Sequence, residues 1–299
     1  MLSTPPANRS NMTSHPGRRL RDAMENGVVM APGAFNALAA RAVSTAGFEA
    51  CYISGGATAN GAGYPDVGLI TLNEMCRTIR EITQAGHVPT IVDADTGYGD
   101  GEMIIRTTIE YDRHGAAGMH IEDQVFPKRC GHLEGKSLIS KDDMVEKLKA
   151  ALANKLNDEF ILIARTDARS VTGIEDAIDR ANAYRAAGAD MIFPEGLHSE
   201  EEFARFARES PGLLLANMTE YGKTPYIHVD RFAELGYQLV IYPLSMQRLA
   251  MGHVVRGLDE LKKSGTAEGL LDQMQTRKEL YGLLGYEPGE QWNFPNPPT

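Results

Sequence analysis

The feature that most constrains this chain is a repeated alternation of short apolar runs, helical stretches and glycines. From residue 28 onward the apolar runs fall at 28–31, 50–54, 90–93, 118–121, 160–164, 190–193, 213–216 and 238–241. They are brief and almost wholly apolar. That suits parallel strands covered on both faces, whereas half-exposed strands would alternate polar and apolar residues. Helical patterns lie between them at 35–46, 71–84, 140–153 and 174–187, and two more follow at 246–263 and 266–284. Thr71 with Glu74 three residues on is a capping-box signature. Gly47, Gly115, Gly188 and Gly236 each stand after a helix and before a run, where a left-handed C-terminal cap is expected. Repeated βα units with right-handed crossovers form an open sheet or a closed barrel, and eight is the closure number of the (β/α)8 barrel. The expected fold is therefore α/β, a TIM-type barrel over residues 18–264. Residues 265–299 add a C-terminal helix and tail, and residues 1–17 read as a disordered tail with early prolines and no acidic residue.

The 299 residues, 42% of them hydrophobic, suffice for one such barrel core. A formal net charge of -10 argues against a nucleic-acid binder, which would need a basic face. No apolar run approaches the roughly 20 residues that a membrane helix needs. The three cysteines, Cys51, Cys76 and Cys130, are odd in number and widely spaced, which fits a reducing, cytoplasmic setting better than a disulfide framework. Cys51 and Cys76 sit in apolar-periodic segments and read as core residues.

Barrel chemistry gathers at the C-terminal ends of the strands, and the polar residues here fall in those places. The second run ends in Ser54-Gly55-Gly56, the third in Asp93-Ala94-Asp95, the fourth in Glu122-Asp123 and the fifth in Arg165-Thr166-Asp167. Glu195 follows the sixth, Asn217 and Thr219 the seventh, and Arg248 the eighth. Asp93 and Asp95, with Glu122 one strand over, are clustered carboxylates that need a cation or protons. Hard oxygen donors suit Mg²⁺, with Mn²⁺ as an alternative. Any one of these acids would more commonly cap a helix or join a salt bridge; the convergence on one face is what favours a metal. The loop Phe126–Gly135 places Lys128, Arg129, Cys130 and His132 together. Cations beside a thiol are expected to lower its pKa, so Cys130 is the leading catalytic candidate, with Lys128 and His132 beside it. Arg165, Arg248 and Arg277 can supply guanidinium forks for carboxylates.

Asp93-Ala94-Asp95-Thr96-Gly97-Tyr98-Gly99, His120-Ile121-Glu122-Asp123-Gln124 and Lys128-Arg129-Cys130-Gly131-His132 resemble the isocitrate lyase/phosphoenolpyruvate mutase superfamily, over about residues 18–286. Asn217–Gly222 and Met274–Tyr281 are similar to segments of its 2-methylisocitrate lyase branch. The resemblance implies a lyase that cleaves 2-methylisocitrate to pyruvate and succinate through a Mg²⁺-stabilised enolate, with Cys130 as general acid. Asp93 and Asp95 would hold the metal, with Glu122 in its water shell. Ser54, Gly55, Gly56, Gly131, Arg165, Glu195, Asn217, Thr219, Arg248 and Arg277 would bind the polycarboxylate, and Tyr52 would assist deprotonation. The family also implies homotetramers that exchange a C-terminal helix, and a place in propionate metabolism. The continuation Leu133-Glu134-Gly135-Lys136 resembles a form shared by carboxyphosphoenolpyruvate phosphonomutases and some methylisocitrate lyases, so the loop does not separate these branches. The phosphonomutase branch, 2,3-dimethylmalate lyase and oxaloacetate hydrolase, which the resemblance implies all stabilise the same Mg²⁺-bound enolate, stand as alternatives on the same site. A non-catalytic metabolite-binding barrel is a more distant one.

Overall fold

The computed structural model describes residues 14–292. Eight strands are present: β1 (Val29–Pro32), β2 (Cys51–Ile53), β3 (Thr90–Asp93), β4 (Gly118–Glu122), β5 (Ile161–Thr166), β6 (Met191–Pro194), β7 (Leu215–Asn217) and β8 (Leu239–Tyr242). All pairings are parallel, in the orders β2-β3-β4-β5-β6 and β1-β8-β7. Single parallel bridges, Gly33 to Tyr52 and Ile192 to Leu214, join the two arcs. The sheet therefore closes on itself, as the count of eight predicts.

The helices are α1 (Pro16–Glu25), α2 (Ala37–Thr45), α3 (Gly55–Gly61), α4 (Leu72–Gly86), α5 (Glu102–Arg113), α6 (Lys141–Leu152), α7 (Ile174–Ala186), α8 (Glu200–Glu209), α9 (Val229–Leu235), α10 (Ser245–Ser264) and α11 (Arg277–Leu284). The expected capping box forms: Thr71 accepts from the Glu74 N–H, and Glu74 accepts from Thr71 N at 2.7 Å. Gly47, Gly115, Gly188 and Gly236 all take positive φ, the conformation in which a side chain would be strained.

Strand parity divides the core. Ile91, Ile161, Ile163, Met191, Phe193, Leu215, Leu239 and Ile241 fill the barrel interior. Their neighbours Val92, Leu162, Ala164, Ile192, Ala216 and Val240 pack outward under the helices. Leu20 and Met24 of α1 join the interior cluster. Arg19 reaches the His87 carbonyl at 2.9 Å and Arg21 pairs with Asp190 at 2.8 Å, both in turns that precede strands. The helix thus closes the N-terminal mouth and leaves the C-terminal mouth for chemistry.

Three expectations need correction. The single helix at 266–284 is broken into a 3-10 segment, Glu268–Gln273, and α11, which restarts on its own capping box of Thr276 and Glu279. The second run ends early, because Ser54 is the N-cap of α3 and accepts from Ala57 N at 3.2 Å. The expected tail overlaps α1, which opens on Pro16 with His15 accepting from Gly17 N at 3.0 Å; residues 1–13 of that tail lie outside the described residues. After β8, α10 buries only Gln247, and Leu249, Met251, Val254, Val255, Leu258 and Leu261 are exposed on the single chain. Among the described residues no helix is long and apolar enough to cross a membrane.

Candidate active site

The parity that sends Ile91 and Ile163 into the barrel also sends Asp93, His120, Glu122, Arg165 and Glu195 inward, one layer nearer the C-terminal mouth. The register sets Asp93 beside His120, Glu122 beside Arg165, and Arg165 beside Phe193. All are buried. Their charges are therefore held in a water-poor layer on rigid strand ends, where each must be answered by a partner.

Asp93 is fixed from three sides: Oδ2 accepts from Gly55 N at 3.1 Å, Oδ1 accepts from Asp95 N at 3.0 Å, and His120 Nδ1 lies 3.6 Å from Oδ1. Gly55 must be glycine here, since a Cβ would sit 2.9 Å from Asp93 Oδ2 and 3.0 Å from Asp95 Oδ1. A Cβ on Gly56 would sit 3.1 Å from Asp66 Oδ2. Burial and the Asp93 charge push the Asp95 carboxyl up to about 6. Burial pushes Glu122 well above the carboxylate range. Both Glu122 oxygens are buried without a hydrogen-bond partner, and Asp95 Oδ1 is buried with the Lys128 ammonium 2.8 Å away. Three clustered carboxylates, with both Glu122 oxygens lacking a hydrogen bond and no sulfur or imidazole among the three, fit a hard divalent cation. A second donor group, Cys76, Glu110 and His114, lies outside this layer between α4 and α5. Its soft sulfur does not suit Mg²⁺, and Glu110 is already paired with Arg113 at 3.2 Å.

Arg165 spans the acid layer. Nε and Nη2 donate to the two Asp167 oxygens at 2.9 and 3.2 Å, Nε lies 3.3 Å from Glu122 and Nη2 lies 3.6 Å from Glu195. The guanidinium stacks over Phe193 at 5.1 Å. Glu195 accepts from Asn217 Nδ2 at 3.0 Å, and His132 Nε2 lies 3.2 Å from it. Burial opposes its ionisation, but Arg165 and His132 hold Glu195 well below the usual carboxylate range. Asn217 Oδ1 is buried and unpaired, and Thr219 is buried beside it. Tyr52 shares a 2.7 Å hydrogen bond with His120 Nε2. Burial pushes that imidazole down to about 4 and the Tyr52 phenol well above its ordinary value, so both are neutral.

The Cys loop folds over this layer, and its charges do not act as expected from sequence. Lys128 is buried and its ammonium lies 2.8 Å from Asp95 Oδ1, with Asp66 as its other partner. Arg129 turns to the Glu134 carbonyl at 3.2 Å. Neither cation attends the thiol. Burial instead raises the Cys130 pKa, and nearby Asp66 and Glu195 add to the rise. The expectation of a lowered pKa is thus overturned: the half-buried thiol stays protonated at neutral pH. Cys51 and Cys76, by contrast, are core residues as expected.

Two expected ligands stand apart. Arg248, in the first turn of α10, is exposed and bound to the Glu220 carboxylate at 3.0 Å and carbonyl at 2.6 Å. Arg277 is exposed at the start of α11, a helix that packs on α2, where Arg41 reaches the Leu284 carbonyl at 3.2 Å. Among the described residues no hydrogen bond or ion pair joins Arg277 to the cluster. Asp66, Gln124, Lys136 and Asp167 were missed as site residues. Asp167 was visible as a strand-end acid, but the others are assembled by loop contacts that no local pattern announces.

Gly131 carries a sharp prediction. A Cβ there would lie 2.5 Å from Glu195 Cγ and 2.6 Å from Arg165 Nη2. Gly131→Ala should force the loop off the acid layer and cut turnover at least about tenfold, by analogy with a misplacement of about 1 Å. Steady-state kinetics check this, and wild-type turnover would show that the loop need not close so tightly.

Residues 20–262 match the phosphoenolpyruvate phosphomutase family. The 2-methylisocitrate lyase of Aeropyrum pernix is 48% identical over 277 residues, which cover 92% of this chain and 89% of that one. A crystal structure of 2,3-dimethylmalate lyase, described as a PEP mutase/isocitrate lyase superfamily member, aligns with a TM-score of 0.86 at 38% identity, covering 91% of this chain and 92% of its own. A phosphonopyruvate hydrolase in complex with oxalate and Mg²⁺ aligns at 0.82 and 27% identity, covering 91% and 95%. The motifs around Asp93, Glu122 and Cys130, the closed eight-stranded sheet and these relatives agree: this chain belongs to the phosphoenolpyruvate mutase/isocitrate lyase superfamily.

Proposed function

We propose that the protein is a carbon–carbon lyase that cleaves 2-methylisocitrate to pyruvate and succinate, using Cys130 as general acid. The observation that carries this reading is a protonated, half-buried thiol whose next residue, Gly131, lies against Arg165 and Glu195. The identity to a 2-methylisocitrate lyase supports the choice of substrate.

Asp93 and Asp95, with Glu122 through water, would hold Mg²⁺; Mn²⁺ is a second occupant of the same chemistry. Bound there, the cation would stabilise negative charge on the substrate's hydroxyl oxygen and adjoining carboxylate. Ser54, Gly55 and Gly56 border the keto-acid end. Asn217 Oδ1 and Thr219 offer polar groups toward the rest, and Arg165, paired with the same Glu195 that Asn217 holds, offers a cation. Arg248 suits the third carboxylate once released from Glu220, and Arg277 is kept for the same anion in the assembled protein. Lys128 neutralises Asp95, and His132 ties the loop to Glu195. Tyr52 and His120 form a path for the hydroxyl proton: the phenol oxygen accepts it as the phenol's own proton passes to His120 Nε2. The C–C bond then breaks, and its electron pair moves onto the succinate half as a carbanion conjugated with a carboxylate. Cys130 donates its proton to that carbon. The exposed apolar face of α10 suits exchange between partners in a homotetramer, and three free cysteines suit the cytoplasm.

The likeness to 2,3-dimethylmalate lyase favours one second reading, a dicarboxylate substrate that also yields pyruvate. Pyruvate release from 2-methylisocitrate, isocitrate and 2,3-dimethylmalate, before and after metal stripping, separates the two. The proposal expects 2-methylisocitrate to be preferred, with activity lost on chelation and restored by Mg²⁺. Preference for either other compound overturns the substrate assignment.

The raised thiol also fixes a pH dependence. A donor must be protonated, so kcat should stay level through about pH 8.5, the ordinary cysteine value, and fall only as pH climbs past it. A decline that begins near pH 7 would contradict an acid with a raised pKa.

A further inference from the structure

We infer that Gln124 and Lys136 are positioning residues for Cys130, one clamping the residue before it and the other the residue after it. The inference rests on the reading of Cys130 as the acid. Gln124 lies just past β4 and is 1% exposed. Its side-chain amide accepts from Arg129 N at 2.9 Å and donates to the Arg129 carbonyl at 2.9 Å. Both main-chain hydrogen-bonding groups of residue 129 are thereby used, as a neighbouring strand would use them. The base of the loop is tied on either side of Gln124: Val125 N donates to Ser137 O at 2.8 Å and Ile139 N to Asp123 O at 2.9 Å.

Lys136 holds the other flank. Its ammonium is buried, donates to the Gly131 carbonyl, and pairs with Asp167 Oδ1 at 2.7 Å. Asp167 is the carboxylate that chelates Arg165. A lysine suits this place because its three donors can serve a carbonyl and a carboxylate at once, while its charge answers a buried acid. One cation therefore couples the loop carrying the thiol to the arginine beneath it. The loop's large apolar side chains do not do this work: Phe126 is 63% and Leu133 56% exposed. Cys130 is the one residue between two clamped neighbours, each anchored to a strand end.

The test is alkylation of the intact protein by iodoacetamide, with the modified cysteine identified by peptide mass spectrometry, alongside steady-state kinetics. Lys136→Met and Gln124→Leu should each raise the Cys130 alkylation rate at least tenfold while Cys51 and Cys76 stay unreacted. Each should lower kcat at least tenfold with KM changed less than threefold. A merely structural role would expose all three cysteines together. Gln124→Leu exchanges one neutral side chain for another, so it carries the test alone if Lys136→Met loses its fold. Cys130 alkylation within twofold of wild type in a folded variant, or parallel reaction of Cys51 and Cys76 in Gln124→Leu, overturns the inference. The acid role fails separately, through a Cys130→Ser protein that still turns over.

Discussion

Cys130→Ser is expected to lower turnover of 2-methylisocitrate by about 10³-fold, within the range that a positioned general acid contributes. That is about 4 kcal/mol on the barrier. A serine hydroxyl is a far weaker acid than a thiol, and here the thiol is held protonated by burial rather than activated as a thiolate. The substitution changes one half-buried atom, so stability should move by less than about 1 kcal/mol. Binding of pyruvate should survive, since Ser54, Gly55, Asp93 and Asp95 do not depend on the sulfur. Calorimetric titration of pyruvate with Mg²⁺ checks the binding, and a coupled pyruvate assay checks the rate. Turnover within tenfold of wild type would remove Cys130 from the chemistry.

Arg165→Met is expected to damage activity and stability together. The guanidinium answers Asp167, Glu122 and Glu195 at once, and all three are buried. Methionine fills much of the volume but leaves these acids with Lys136 and His132 as their remaining cationic partners. Breaking a buried ion pair from one side costs about 3–5 kcal/mol, so the thermal midpoint should fall by at least about 5 °C. Loss of a preorganised cation should also cost about 10²-fold in kcat. Arg165→Lys should recover part of the stability and little of the rate, because a point charge cannot reproduce the fork on Asp167. Differential scanning calorimetry and kinetics on the two variants check this. An Arg165→Met protein as stable as wild type would mean that the acid layer is already protonated.

The barrel was legible because its signals are local. The strand runs are short and almost wholly apolar, and glycines such as Gly47 and Gly188 mark the places where the chain must turn with positive φ. The break before α11 could also have been read, since Thr276 and Glu279 repeat the Thr71 and Glu74 pattern. The strand-end charges were legible for the same reason: Asp93, Glu122 and Arg165 fall where strand parity and barrel polarity place them. The loop was not. Sequence puts Lys128 and Arg129 next to Cys130, but adjacency in an irregular segment says nothing about direction. Lys128 is drawn to Asp95 and Asp66 because a buried ammonium must find carboxylates. The cation that does secure the thiol's neighbourhood, Lys136, lies six positions past it and became visible only when Asp167, just past β5, met it.

The most direct test is succinate proton exchange in D₂O followed by NMR, with pyruvate and Mg²⁺ present. Run backwards, the proposed protonation step removes a proton from succinate to the Cys130 sulfur. The wild-type protein should wash deuterium into the succinate methylenes in a pyruvate-dependent way, and Cys130→Ser should not. Equal exchange by both proteins, or exchange confined to the pyruvate methyl group, would contradict the account.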